Sequence, residues 1–216
     1  MANISLSVVL PAHNEEENIA NTVSDCLSYL ASNFPEYEVI VVNDGSRDGT
    51  REIVEELSLK NPAVVLVNHE VNRGYGSALR SGFDKASLDY IFFMDSDGQF
   101  DITDLDRLVP LADGNNVVIG YRENRADSFI RSLNAWMYGL YIRLVFGLSV
   151  KDMGCAFKVF PTEAYHKVRP IKAGGALFSA EFLIKLKRIG YVFKEIPVRH
   201  FPRKFGTQSG ANLKVI

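Results

Sequence analysis

A chain of 216 residues, 47% hydrophobic and 23% charged, is long enough to bury a sizeable core and fits one domain. Its formal net charge of −2 offers no global attraction to nucleic acid or anionic lipid, so no nucleic-acid partner is expected and phosphate affinity must rest on local Lys and Arg clusters. Two cysteines, Cys26 and Cys155, form neither a disulfide framework nor a zinc spacing and fit a reducing compartment.

The amino terminus, "MANISLSVVLPAHNEEEN", lacks the basic start and small-residue cleavage site of a secretory signal, and its apolar run is strand-sized. A strand is expected over 6–10 and a helix over 15–31, opened by Asn14 with Glu17 three residues later as a capping box. A second strand, 39–42, leads into "NDGSRDGT", where Asp44 stands at the strand end. That carboxylate can accept from a nucleobase imino N–H or a ribose hydroxyl; the plainer reading is an Asp-Gly turn before a helix over 50–60 capped by Asp48 or Thr50.

After a third strand, 64–67, "NRGYGSALRSG" hints at a dinucleotide fingerprint, but Leu79 occupies the third glycine position and the motif follows the wrong strand. Close packing of a helix over 74–86 on the sheet accounts for Gly74, Gly76 and Ala78. The fourth strand, 90–94, ends in "DSDGQ". Alternate residues of a strand share a side, so Asp95 and Asp97 can face one cation, with the amide oxygen of Gln99 as a further ligand. A solvated turn is the rival reading. A helix over 103–112 and a strand over 117–119 complete an alternation that predicts a mainly parallel sheet with helices on both faces and a ligand crevice beyond the strands' carboxyl ends.

Between Ser128 and Lys151 there is no acid, while Arg131, Arg143 and Lys151 alternate with Trp136, Met137, Tyr138, Tyr141 and Phe146. That pattern fits a helix lying on a bilayer, or a core helix whose arginines snorkel. From Ile196 onward Arg199, Arg203, Lys204 and Lys214 meet no acid, as a phosphate clamp or a solvated tail would. Glu181 opens an amphipathic helix. None of His13, His69, His166 and His200 has ligand spacing.

Together "VVLPAHNEEENI", "VIVVNDGSRDGT", "NRGYGSALRSGF", "FFMDSDGQF" and "VKDMGCAFKVF" resemble the inverting glycosyltransferases of family 2, in the branch of dolichyl-phosphate mannose synthase and bacterial polyprenyl-phosphate glycosyltransferases. The resemblance covers nearly the whole chain. It implies an α/β GT-A fold, a Rossmann-like mainly parallel sheet flanked by helices in a single domain, with a nucleotide-sugar half (1–120) and an acceptor half (121–216). It also implies Mg2+ or Mn2+ at Asp95, Asp97 and Gln99, a nucleotide-diphosphate sugar donor, and nucleoside contacts at Pro11, Glu15 and Asp44. Asp97 and Arg203 carry the catalysis on this reading.

Arg203 and Gly206 match the family's Arg-x-x-Gly, but where many relatives continue Gly-x-Ser-Lys this chain has Thr207, Gln208, Ser209 and Gly210. On the resemblance, Arg131 matches a phosphate-binding arginine at the family's place for the lipid phosphate, and Arg122 in "GYREN" is a candidate for another. Glu181 stands where relatives with hydroxyl acceptors keep a general base. A phosphate acceptor is already anionic and needs none, so Glu181 is expected to orient the site. The implied product is a lipid-linked monosaccharide made at the cytoplasmic face of a membrane by a peripheral enzyme. Transfer to a sugar hydroxyl and a non-catalytic nucleotide-sugar module are the alternatives. No Gln-x-x-Arg-Trp motif of processive synthases is present.

Overall fold

The computed structural model describes residues 4–122, 129–175 and 177–206, and of residues 129–136 the backbone alone. Its strands are β1 (Leu6–Ala12), β2 (Tyr37–Asp44), β3 (Val64–His69), β4 (Tyr90–Met94), β5 (Asn116–Arg122), β6 (Phe157–Pro161) and β7 (Val192–Val198). The helices are α1 (Ile19–Asn33), α2 (Thr50–Lys60), α3 (Tyr75–Lys85), α4 (Leu105–Leu108), α5 (Phe129–Phe146), α6 (Thr162–Val168) and α7 (Leu177–Arg188).

All seven strands join one sheet in the order β3-β2-β1-β4-β6-β5-β7. β6 is antiparallel to β4 and β5, and every other pairing is parallel, so six strands point one way and deliver their carboxyl ends to one edge. Because β6 lies between β4 and β5, the two expected halves share a single sheet. Side chains alternate between two cores. Val9 and Phe93 face α3, α6 and α7, whereas Val8, Leu10 and Phe92 face α1 and the segment around α4.

Several expectations about elements need correction. The first helix starts at Ile19, and Asn14 does not cap it: Asn14 has a φ of 57°, and its Oδ1 accepts from Arg47 N at 2.8 Å. The amide of Glu15 goes to the Thr50 hydroxyl at 2.8 Å, so tertiary partners displace the local capping box. The helix expected over 103–112 breaks into 3-10 turns at Ile102–Asp104 and Val109–Leu111 around the short α4, where Pro110 supplies no N–H.

β6 and β7 escaped the sequence reading. Lys158 interrupts the apolar run of β6 although it is fully buried, and its ammonium donates to the carbonyls of Met153 and Cys155. β7, "VFKEIPV", is a half-exposed edge strand, which tolerates Pro197. Close packing does not explain Gly74, where an added Cβ would meet nothing within 4 Å; its φ of 85° does. Gly82 is the residue the sheet requires, since a Cβ there would lie 2.3 Å from Val9 Cγ1.

Candidate active site

Parallel strands leave their last backbone groups and the loops that follow at one edge, so β1, β2 and β4 bring their terminal polar residues together. Asp95 follows β4 directly. The Tyr75 hydroxyl, at the start of α3, donates to its carboxylate; burial, and then the neighbouring Asp97, push that carboxyl up to about 7. Burial also raises Asp97, opposed by the Gln99 N–H at 3.1 Å from Oδ1 and by the Arg203 guanidinium, whose Nη1 lies 3.4 Å from Oδ2. Two enclosed carboxylates that resist joint ionisation form a place that attracts a cation.

Arg203 supplies one positive charge there. Its Nη2 lies 2.7 and 2.8 Å from the two oxygens of Glu15, which is buried, and its Nε donates to the Phe205 carbonyl at 2.6 Å. Glu15 also accepts from Asn18 Nδ2 at 2.8 Å. The tail after β7 is strapped over the acidic loop by several bonds. Arg199 reaches Asp104, Asp101 and Thr103; Phe201 N donates to Gln99 O at 2.8 Å, and Gln99 Nε2 returns to Phe201 O at 2.8 Å. Gln99 thus fastens the tail that carries Arg203 through its backbone carbonyl and its amide nitrogen, a contact that does not involve the amide oxygen expected as a ligand.

Among the described residues no group of three His, Cys, Asp or Glu side chains gathers as a self-sufficient metal cage. The donor set nonetheless fits a hard cation of the magnesium kind, which binds through one or two carboxylates and completes its shell with substrate phosphates and water. Asp95 and Asp97 present two carboxylates of that kind side by side.

Asp44 ends β2 almost fully buried. Its Oδ1 accepts from His69 Nδ1 at 2.7 Å and Arg73 N at 2.9 Å, and its Oδ2 from Gly74 N at 2.8 Å. Three donors thus bind it to the end of β3 and the loop entering α3, and use three of its four lone pairs. His69, set aside in the sequence as isolated, is buried and bridges Asp44 to Ser81 Oγ at 2.9 Å. The Pro11 carbonyl accepts from Ser96 Oγ at 2.7 Å and so ties β1 to the acidic loop.

At the end of β5, Arg122 forms a fork with Asp152, Nε to Oδ2 at 2.7 Å and Nη2 to Oδ1 at 3.0 Å. Asp152, in "VKDMGC", was not singled out; an acid bracketed by Lys151 and Met153 has no periodic signal. The side chain of Arg131 and the whole of Gln208 lie outside the described residues. Glu181 Oε2 accepts from Lys172 N at 2.9 Å and Ala173 N at 2.6 Å, and Oε1 pairs with Lys185 at 2.7 Å. Partial burial pulls its carboxyl up, but these bonds outweigh it and hold the group below the usual carboxylate range. Tyr75 and Arg80 also escaped notice, because a tyrosine or arginine in a helical segment reads as packing or solvation.

Similarities to known proteins agree with this geometry. The glycosyl transferase family 2 domain matches residues 7–169. The dolichyl-phosphate beta-glucosyltransferase of Saccharomyces cerevisiae is 30% identical over 90% of this chain, and the undecaprenyl-phosphate 4-deoxy-4-formamido-L-arabinose transferase of Edwardsiella ictaluri is 29% identical over 98%. The chain spans 66% and 64% of their lengths, just under two thirds. The glucosyl-3-phosphoglycerate synthase of Mycobacterium tuberculosis, solved with Mn2+, UDP and phosphoglyceric acid, superposes with a TM-score of 0.70 at 24% identity, covering 94% of this chain and 72% of that one. A mannosyltransferase of Pyrobaculum calidifontis in complex with GDP-Man and Mn2+ gives 0.69 at 19%, covering 94% and 58%. The fold is GT-A, and with a sheet whose acidic loop, Asp44 and carboxyl-terminal strap converge on one crevice, the chain belongs to glycosyl transferase family 2.

Proposed function

We infer that this protein transfers a hexose from a nucleotide-diphosphate sugar to a polyprenyl or dolichyl phosphate, with inversion. The observation that carries the acceptor class is how Glu181 is held. A hydroxyl acceptor needs a base presented to it, whereas this carboxylate has Oε2 taken by two backbone amides and Oε1 by Lys185. A phosphate monoester attacks without losing a proton. The named acceptors of the polyprenyl-phosphate relatives support the same reading.

An acceptor phosphate oxygen approaches the anomeric carbon from the face opposite the diphosphate. As its C–O bond forms, the bond to the diphosphate breaks and the electron pair leaves on phosphate oxygen. Asp95 and Asp97 would hold Mg2+ or Mn2+, which when bound supplies Lewis-acid stabilisation of the departing nucleoside diphosphate. Arg203 brings its guanidinium to the same charge, Gln99 and the strap keep it there, and Glu15 holds it between turnovers. Pro11, Glu15 and Asp44 line the nucleoside end. On this reading Arg131 and Arg122 would bind the lipid phosphate, and Gln208 would contact the donor.

The lipid acceptor places the enzyme at a membrane surface, on the cytoplasmic face where nucleotide sugars are supplied. Among the described residues no helix is long and apolar enough to cross a membrane. α5 instead exposes Met137, Leu140, Tyr141, Leu144 and Val145, the apolar side of a helix that rests in the headgroup region.

The test is mass spectrometry of products from UDP-glucose, GDP-mannose and UDP-N-acetylglucosamine offered with polyprenyl phosphate and Mg2+ or Mn2+. A lipid-phosphate hexose is expected, lost in Asp97→Ala and in excess chelator. Undiminished turnover under either condition removes the cation from the mechanism; sugar found only on hydroxyl acceptors overturns the acceptor assignment.

A further inference from the structure

The turn between α6 and α7 is held by charged side chains in a way a plain connection does not require. β6 runs against its neighbours and ends at the far edge of the sheet, so α6 carries the chain back and residues 170–175 return to the edge that bears Asp95. α3 begins at that edge too, and the turn lies against it: a Cβ on Gly76 would sit 3.1 Å from the Ala173 oxygen and from Gly174 Cα. The residue before Gly76 is Tyr75, whose hydroxyl binds Asp95.

Five polar backbone groups of residues 170–173 are fixed by side chains from α3 or α7. Arg80 Nη1 donates to Ile171 O at 3.2 Å and Ala173 O at 2.8 Å, with Nη2 on Ser77 Oγ at 2.8 Å. Glu181 takes the amides of Lys172 and Ala173, and Lys185 donates to Pro170 O at 2.7 Å. The Ala173 residue is thus gripped at its N–H by α7 and at its carbonyl by α3. Surface turns usually leave such groups to water. A donor whose nucleoside lies at the ends of β1 and β2 and whose diphosphate lies at Asp95 and Asp97 directs its sugar onward across the sheet, toward β6 and this turn.

We propose that Arg80 and Glu181 are positioning residues that hold the 170–173 backbone as the wall of the hexose pocket and so decide which sugar is accepted. The proposal rests on the transfer reading above. A wall fixed by two opposed charged clamps presents its backbone groups and shape at set distances to the sugar hydroxyls; loosening either clamp blurs the distinction between epimers.

The experiment offers the best donor from the panel in competition with its epimer on the same nucleotide, and measures the ratio of the two kcat/KM values in the unmodified protein, Arg80→Met, Arg80→Lys and Glu181→Gln. That ratio does not depend on the folded fraction, so a partly unfolded variant still reports. Discrimination is expected to fall about tenfold or more in Arg80→Met and Glu181→Gln, with partial recovery in Arg80→Lys. UDP or GDP affinity, measured by calorimetry, stays within about twofold, because the nucleoside end does not touch the turn. An unchanged ratio in both variants, or a nucleotide affinity that falls as far as the ratio, overturns the wall while leaving transfer intact. An unmodified protein that transfers no sugar overturns the transfer reading itself.

Discussion

Asp95 and Asp97 are one residue apart yet differ in surroundings. Asp95 is enclosed beneath Tyr75, and Asp97 faces Arg203. The Asp95 carboxyl, at about 7 against an ordinary 3.8, binds its proton more tightly in the folded chain than in the unfolded one. Its contribution to stability is therefore full below about pH 4 and is lost as pH rises through about 7. Asp95→Asn, neutral at every pH, is expected to match the unmodified protein near pH 4 and to melt higher at pH 8, by about 2–4 °C for each kcal/mol recovered. Thermal denaturation across pH checks this; an equal or lower melting temperature at pH 8 contradicts it. The same substitution should abolish any rise in melting temperature caused by Mn2+ with UDP, which separates the stability of the site from its use.

At the scale of elements, α3 ties the site together: its entry loop binds Asp44, its first residue binds Asp95 and its third turn meets β1 through Gly82. Gly82→Ala would gain up to about 1 kcal/mol of helix propensity. It would also force a methyl to within 2.3 Å of Val9 Cγ1, and overpacking of this kind costs about 1–3 kcal/mol. The expected result, read from urea denaturation, is net destabilisation of up to about 2 kcal/mol. The strap after β7 is the second organising element. Gln99 and Phe201 exchange two hydrogen bonds, and Arg199 grips Asp104, so Arg203 arrives at the acidic pair on a backbone already positioned.

Taken whole, the proposed transfer divides its tasks across the sheet: nucleoside and diphosphate would lie at β2, β1 and β4, and the acceptor beyond β6. On that proposal the apolar residues exposed on α5 would be the side that meets a membrane. A net charge of −2 supplies no long-range pull, so on that proposal binding to zwitterionic vesicles would rest on those side chains. Leu144 is 75% exposed, and burying such a side chain is worth about 1.5–3 kcal/mol. Leu144→Asp should therefore weaken cosedimentation with zwitterionic vesicles about tenfold or more, with the melting temperature little changed because the side chain is mostly open to solvent. Vesicle binding equal to that of the unmodified protein would remove α5 from the membrane face.

Chain order alone was enough for the first half of the sheet, because β-branched runs at 39–42, 64–67 and 90–94 alternate with helical periodicity, and local pattern determines buried parallel strands. It also placed Asp44, Asp95 and Asp97 at strand ends, where the rule of the carboxyl edge turns spacing into a site. Only the tertiary structure decided that Lys158 belongs to a central strand, since its ammonium is satisfied by carbonyls brought near by the fold, and that Asn14 takes a left-handed turn bound to Arg47. The hold of Gln99 on Phe201, of Arg122 on Asp152 and of Arg80 with Glu181 on one turn was equally beyond the linear chain. Each joins segments distant in sequence, and a polar side chain's partner is set by three-dimensional proximity, which no local periodicity encodes.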